Sequence, residues 1–228
     1  MRINEGGDSV SRAASRGKVS KSAASSSVQP EFQLPPDATY DQLDFVTDKH
    51  ASVELPGTCR WPDAAFPLKL WLVENPEIPE FEADTFAMLA QWEFASDHQI
   101  RFIKAESLDA ADIIVDWMDE ATTGRKYEMG HAKREVTPLP KADGSLTGEI
   151  TFVKVNLHKK PLINAYLSTK NALKCTFFAT ILHEFGHVLG LEHSQNPSDV
   201  MYYRGFLNAK LSPNDVNRLK LLYPPKAQ

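Results

Sequence analysis

The stretch His183-Glu184-Phe185-Gly186-His187-Val188-Leu189-Gly190-Leu191-Glu192-His193 constrains this chain more than any other. His183 and His187 stand four positions apart, so on a helix they share one face about a turn apart, where both imidazoles reach a single ion. Glu184 follows the first histidine and projects to the side, where an attacking water would lie. Gly190 suits the left-handed conformation that ends a helix, reversing the chain so that His193 approaches as a third ligand. Three nitrogen ligands leave the fourth position of a tetrahedral zinc open, which marks a catalytic site rather than a structural one. Five fixed positions arise by chance about once in 10⁴ chains of this length. A helix that merely carries two histidines on one face is therefore the weaker reading.

Length and charge bound the rest. A chain of 228 residues holds one moderate domain plus an appendage. No apolar run approaches the ~18 residues of a membrane span. A net charge of -5 without a basic patch argues against a nucleic-acid partner. Two cysteines exclude a cysteine-built metal site and a disulfide-dense scaffold. No apolar h-region opens the chain, so no secretory signal is visible. Prior removal, another export route and retention in the cell all remain open.

Residues 1–30 are Ser-rich and mildly basic, with little to bury, and read as a disordered tail. From Pro30 onwards, residues 31–62 hold Pro35, Pro36 and Pro56 around short apolar pieces, and read as a linker or a pro-segment. The catalytic domain is expected over 63–228. Leu68 to Val73 alternates as a strand, and Glu80 to Ser96 reads as a helix burying Phe81, Met88, Leu89 and Trp92. Strands are expected over 100–104, 112–117 and 149–156, the last alternating Ile150 and Phe152 against Thr151 and Val153. Residues 118–148 read as loop, with an extended piece from Tyr127 to Val136. The long helix runs to Leu189 with Leu173, Phe177, Ile181 and Phe185 as its buried stripe. Ser212-Pro213-Asn214-Asp215 announces a last helix through an N-cap serine, a first-turn proline and a capping-box acid.

The site residues divide the labour of amide hydrolysis. His183, His187 and His193 hold zinc, which brings the pKa of a bound water towards ~7. Glu184 takes the proton as general base and later delivers it to the leaving amine. Glu192 reads as a solvent-facing residue of the turn.

The histidine stretch, with Met201 eight residues after His193, resembles the metzincin zinc endopeptidases, and Ser194 after the third histidine resembles the matrixins. Trp92, Ala111-Asp112-Ile113, Gly148-Glu149-Ile150 and Leu211 to Tyr223 extend the similarity over residues 66–224, closest to compact microbial matrixins. The resemblance implies an α+β metzincin domain with a twisted, mixed five-stranded sheet and three helices. It implies a methionine turn, carrying Met201, beneath the zinc. It also implies a protein or peptide substrate lying antiparallel to an edge strand, and a monomer that is secreted or at the cell surface. Two other readings compete: a non-catalytic zinc-binding adaptor, and a processing protease with one protein partner.

Some positions depart from the animal pattern. His131, in Gly130-His131-Ala132, lacks the upstream His-x-Asp element, so a structural Zn2+ or Ca2+ is not expected, and His158 reads the same way. Tyr203 stands where animal matrixins have proline, and is either an oxyanion donor or an aromatic of the pocket wall beside Tyr202 and Phe206. Ala179 is expected at the base of that pocket. Asp215 either braces the methionine turn or only caps its helix. Cys59, followed by Pro62-Asp63, is a latency ligand, a disulfide partner of Cys175 or a plain buried thiol.

Overall fold

A computed structural model describes residues 59–119, 129–142, 146–168, 171–203 and 208–225. The tail over 1–30, most of the segment over 31–62, and Phe206 lie outside these residues. The last part of that segment is described. Cys59–Arg60 forms strand β1, and Trp61 is buried in the core.

The described strands form one six-stranded sheet, where five were expected. The others are β2 (Leu68–Leu72), β3 (Phe102–Lys104), β4 (Ile113–Met118), β5 (Gly130–Pro140) and β6 (Leu146–His158). β6 is the axis. It pairs in parallel with β1 and β4 and antiparallel with β5, while β2 pairs in parallel with β4 and β3. The added strand is β1, two residues long and too short to show any alternation.

β5 covers most of the extended piece expected from Tyr127 to Val136 and runs four residues further, into what was read as loop. Its eleven residues include Pro138 and Pro140, which break a central strand but not an edge one, and β5 pairs only with β6. β6 corrects another expectation. The register slips between Glu135 and Val136, which pair with Phe152 and Ile150 and leave Thr151 as an extra residue. This bulge shifts the alternation by one, so Ile150 and Val153 are both fully buried while Phe152 is only half-buried.

Four α-helices cover the described chain, where three were expected: α1 (Phe81–Ala95), α2 (Lys159–Tyr166), α3 (Asn171–Val188) and α4 (Pro213–Leu222). The unexpected one is α2. Its eight residues are too few for a periodic signal and include Pro161, which the first turn tolerates, and it buries Leu162, Ile163 and Ala165. α1 turns Phe81, Leu89 and Trp92 inward, and the Trp92 indole donates to the Leu182 carbonyl of α3 at 3.2 Å. α3 is enclosed on all sides from Ala179 to Phe185, so Phe177, Ile181 and Phe185 are part of a wider buried surface rather than a stripe. α4 carries the expected capping box, with Ser212 Oγ accepting from the Asp215 amide at 3.0 Å. No described helix is long and apolar enough to cross a membrane.

Candidate metal centre

α3 ends in a Schellman motif built on Gly190. Its φ of 94° is left-handed, its amide donates to the His187 carbonyl at 2.9 Å, and the Leu191 amide donates to the Gly186 carbonyl at 2.9 Å. A second constraint acts here, because any Cβ at Gly190 would overlap the Cys59 carbonyl oxygen. The reversal carries His193 back towards the helix.

The three imidazoles converge. Nε2 of His187 lies 3.2 Å from that of His183 and 3.0 Å from that of His193, and the third edge is 3.3 Å. Three nitrogens bound to zinc at its usual distance stand ~3.3 Å apart in a tetrahedron. The triangle therefore fits that ion. The orienting bonds fit as well: His183 Nδ1 donates to the Val200 carbonyl at 2.7 Å and His187 Nδ1 to the Leu191 carbonyl at 2.8 Å. Each bond fixes the proton on Nδ1 and leaves the Nε2 lone pair for a metal.

Burial, then the nearby His193, pushes His183 down to about 3 despite the raising effect of the Val200 carbonyl. His187 lies well below its ordinary value through burial and the other two rings. His193 is also lowered, chiefly by burial, with Glu192 opposing and Arg218 and Arg134 assisting. Neutral imidazoles are thus the resting form near pH 7. Among the described residues this trio is the one cluster of three or more candidate ligands within 4.8 Å.

Cys59 is not in it. That residue pairs with Gly148 in the sheet, its thiol is raised chiefly by burial, and both it and the exposed Cys175 are free. His131 and His158 have rings 6.4 Å apart, and His131 Nε2 lies 3.1 Å from Asn156 Nδ2.

Glu184 is 2% exposed, against the start of β5: a Cβ on Gly130 would sit 3.2 Å from both its Cγ and its Oε1. Met201 is fully buried in a turn, and a Cβ on Gly186 would overlap its Sδ. Only glycine leaves room there for the thioether against α3, between the first two histidines. The turn is tied to the residue after His193, since the Ser194 amide donates to the Met201 carbonyl at 2.6 Å and the Tyr203 amide to the Ser194 carbonyl at 3.2 Å. Tyr203 is half-buried with its ring 5.1 Å from that of Tyr202. Ala179 is buried in α3 one turn before His183. Glu192 is 71% exposed, in keeping with a solvent-facing position, and is also ion-paired to Arg134 at 2.6 Å.

Asp215 does both things left open by its sequence. Its Oδ2 accepts from the Ser212 amide at 3.0 Å as the capping box requires, and from the Val200 amide at 2.8 Å, while Oδ1 accepts from the Met201 amide at 3.3 Å. One carboxylate caps α4 and braces the turn that carries Met201.

Sequence reasoning missed Asp199. It is fully buried and accepts from Ser194 Oγ, from Ser212 Oγ and Asn214 Nδ2 at 2.6 Å each, and from Asn196 Nδ2 at 3.0 Å. The one available signal, the turn chemistry of Asn196-Pro197-Ser198-Asp199, does not reveal burial. Burial alone would raise this carboxyl, but the hydrogen bonds from Ser194, Ser212 and Asn214, with Arg218 nearby, hold it below its ordinary value. Its folded value lies below the unfolded one of ~3.9, so its stabilisation is complete above that pH and is lost as pH falls through the folded value. Asp199→Asn turns an amide towards two of the four donors. It is expected to cost about 2–3 kcal/mol at pH 7, with the gap to the parent closing below pH 4. Urea unfolding midpoints across that range check this, and a gap independent of pH would contradict it.

Comparison with known proteins agrees with this geometry. A family model described as Matrixin matches residues 72–224. Matrilysin from Felis catus is 42% identical over 60 residues, covering 25% of this chain and 23% of the relative. Matrix metalloproteinase-20 from Homo sapiens is 26% identical over 156 residues, 67% of this chain and 30% of the relative. A putative matrix metalloproteinase from Spodoptera frugiperda ascovirus 1a is 41% identical over 91 residues, 37% of this chain and 23% of the relative. The chain thus spans less than a third of the length of these relatives.

Proposed function

The chain belongs to the matrixin family, and we propose that it is a zinc-dependent endopeptidase acting on protein substrates outside the cell or at its surface. The observation that carries the reading is the histidine triangle, with 3.0–3.3 Å edges and two Nδ1 protons committed to backbone carbonyls. Zinc held there supplies a Lewis acid that polarises the scissile carbonyl and makes water nucleophilic near neutral pH. The chain's own groups do the remainder.

Glu184, as a carboxylate, takes one proton from the attacking water and returns it to the amide nitrogen, which then leaves as an amine. The outer edge of β5, unpaired among the described residues, offers backbone donors and acceptors to a substrate strand laid against it. Met201 forms an apolar floor under the ligands. Ala179, Tyr202 and Phe206 are assigned to the walls of the specificity pocket, and Cys59 to a structural thiol of β1 rather than a latency ligand.

Cleavage of casein or a quenched peptide library tests the reading. It should be abolished by chelator and restored by zinc, and cleavage that survives metal removal would contradict it. Tyr203 is assigned as donor to the oxyanion, a role worth ~2–4 kcal/mol of transition-state stabilisation. Tyr203→Phe should lower kcat with little change in KM, and an unchanged kcat would return Tyr203 to the pocket wall.

A further inference from the structure

The segment carrying the third histidine leaves α3 at Gly190 and has no regular structure of its own until the bridge at Ser194. Something must hold it, because a ligand on a free segment gives up ordering entropy each time it binds a metal. Two arginines from different elements meet there. Arg218 of α4 donates from Nη2 to the Glu192 carbonyl at 2.6 Å and to the His193 carbonyl at 3.4 Å. Arg134 of β5 donates from its own Nη2 to the Glu192 carboxylate at 2.6 Å, with only 11% of its side chain exposed. One cation thus grips the main chain of the ligand segment from α4, and the other grips the adjoining side chain from the edge strand.

We infer that Arg218 and Arg134 form a two-sided clamp that positions His193 for metal binding, with Arg218 as the main positioning residue. The inference rests on the proposed zinc site. The chemistry matches the task. Both bonds leave Nη2, whose N–H groups are held in fixed directions by the guanidinium plane, whereas a lysine would offer rotatable donors on a flexible stem. Each arginine also keeps its Nη1 buried without an acceptor among the described residues. Burying a cation that way costs free energy, so surface charge alone does not account for either side chain. Glu192 gains a role here: it is the counter-charge that keeps Arg134 in place.

The test is zinc affinity by competition with a chromophoric chelator, on the full chain, with thermal unfolding of the metal-free protein alongside. The parent should bind one equivalent, and His183→Ala should lose it. If the parent binds none, the zinc reading itself fails, and that outcome is distinct from a failure of the clamp. Arg218→Met should raise the zinc Kd about 10–100-fold while the metal-free protein unfolds within a few degrees of the parent. Arg218→Lys should recover part of the affinity, and Glu192→Gln should weaken binding by a smaller factor. Lys104→Met, which removes an exposed pair with Glu82 remote in sequence from every ligand, should change nothing. If Arg218→Met does not fold, Arg218→Lys and Glu192→Gln carry the test. A zinc Kd within twofold of the parent in the folded variants would overturn the clamp.

Discussion

Replacing Glu184 with glutamine is expected to lower peptide cleavage by ~10²–10⁴-fold while one equivalent of zinc stays bound. The side chain is 2% exposed and follows His183 directly on α3, with Gly130 of β5 packed against its Cγ and Oε1. Glutamine fills the same volume, so neither the packing nor the three imidazoles should move. What is lost, on the proposed mechanism, is the capacity to accept a proton from the attacking water and carry it to the leaving nitrogen. Amide cleavage needs both halves of that transfer, because an unprotonated amine leaves poorly. Glutamine also keeps the zinc site intact, which separates the base from the metal in a way that a histidine substitution does not. Steady-state rates on one quenched peptide, with zinc content measured in the same samples, give the answer. A rate within tenfold of the parent would assign the proton transfer to another group.

Trp61→Ala is expected to destabilise the protein by about 3–5 kcal/mol. The side chain is 1% exposed, and its indole nitrogen donates to the Val188 carbonyl at 2.8 Å, at the end of the helix that carries two of the three clustered histidines. Its backbone amide donates to the Tyr223 hydroxyl at 3.0 Å, and that hydroxyl donates on to the Leu189 carbonyl at 2.9 Å. Carbonyls at a helix end have no partner within the helix, so these two depend on groups brought from elsewhere. Trp61→Phe keeps most of the volume but strands the Val188 carbonyl, and should cost about 1–3 kcal/mol. Denaturant midpoints for both variants separate the packing from the hydrogen bond. A Trp61→Phe variant as stable as the parent would mean that the indole nitrogen contributes nothing. A chain begun at residue 63 lacks β1 and Trp61 together and should be no more stable than the alanine variant. If it matches the parent, the N-terminal strand is dispensable.

The contrast between His183 and Asp199 shows where sequence reading stops. The first two histidines, the glycine that ends their helix and the capping box of α4 all follow from geometry within one or two turns. Four residues of α-helix bring side chains to one face whatever surrounds them. Left-handed backbone favours glycine wherever it occurs. Those features, and the expectation of a metal held by three imidazoles, were determined by the order of residues alone.

Asp199, Arg218, β1 and the bulge at Thr151 were decided only by the tertiary structure. An aspartate in a turn reads as solvated until Ser212 and Asn214, from the start of α4, close over it. A two-residue strand has no period, and it exists because β6 offers it an edge. The phase slip in β6 depends on its pairing with β5, a separate strand whose prolines point away from sheet until its edge position is known. The third histidine marks the boundary. His193 can be placed beside the other two histidines by spacing, but what holds it there comes from α4 and β5, because a segment without helix or sheet geometry takes its position from contacts that only the folded chain brings together.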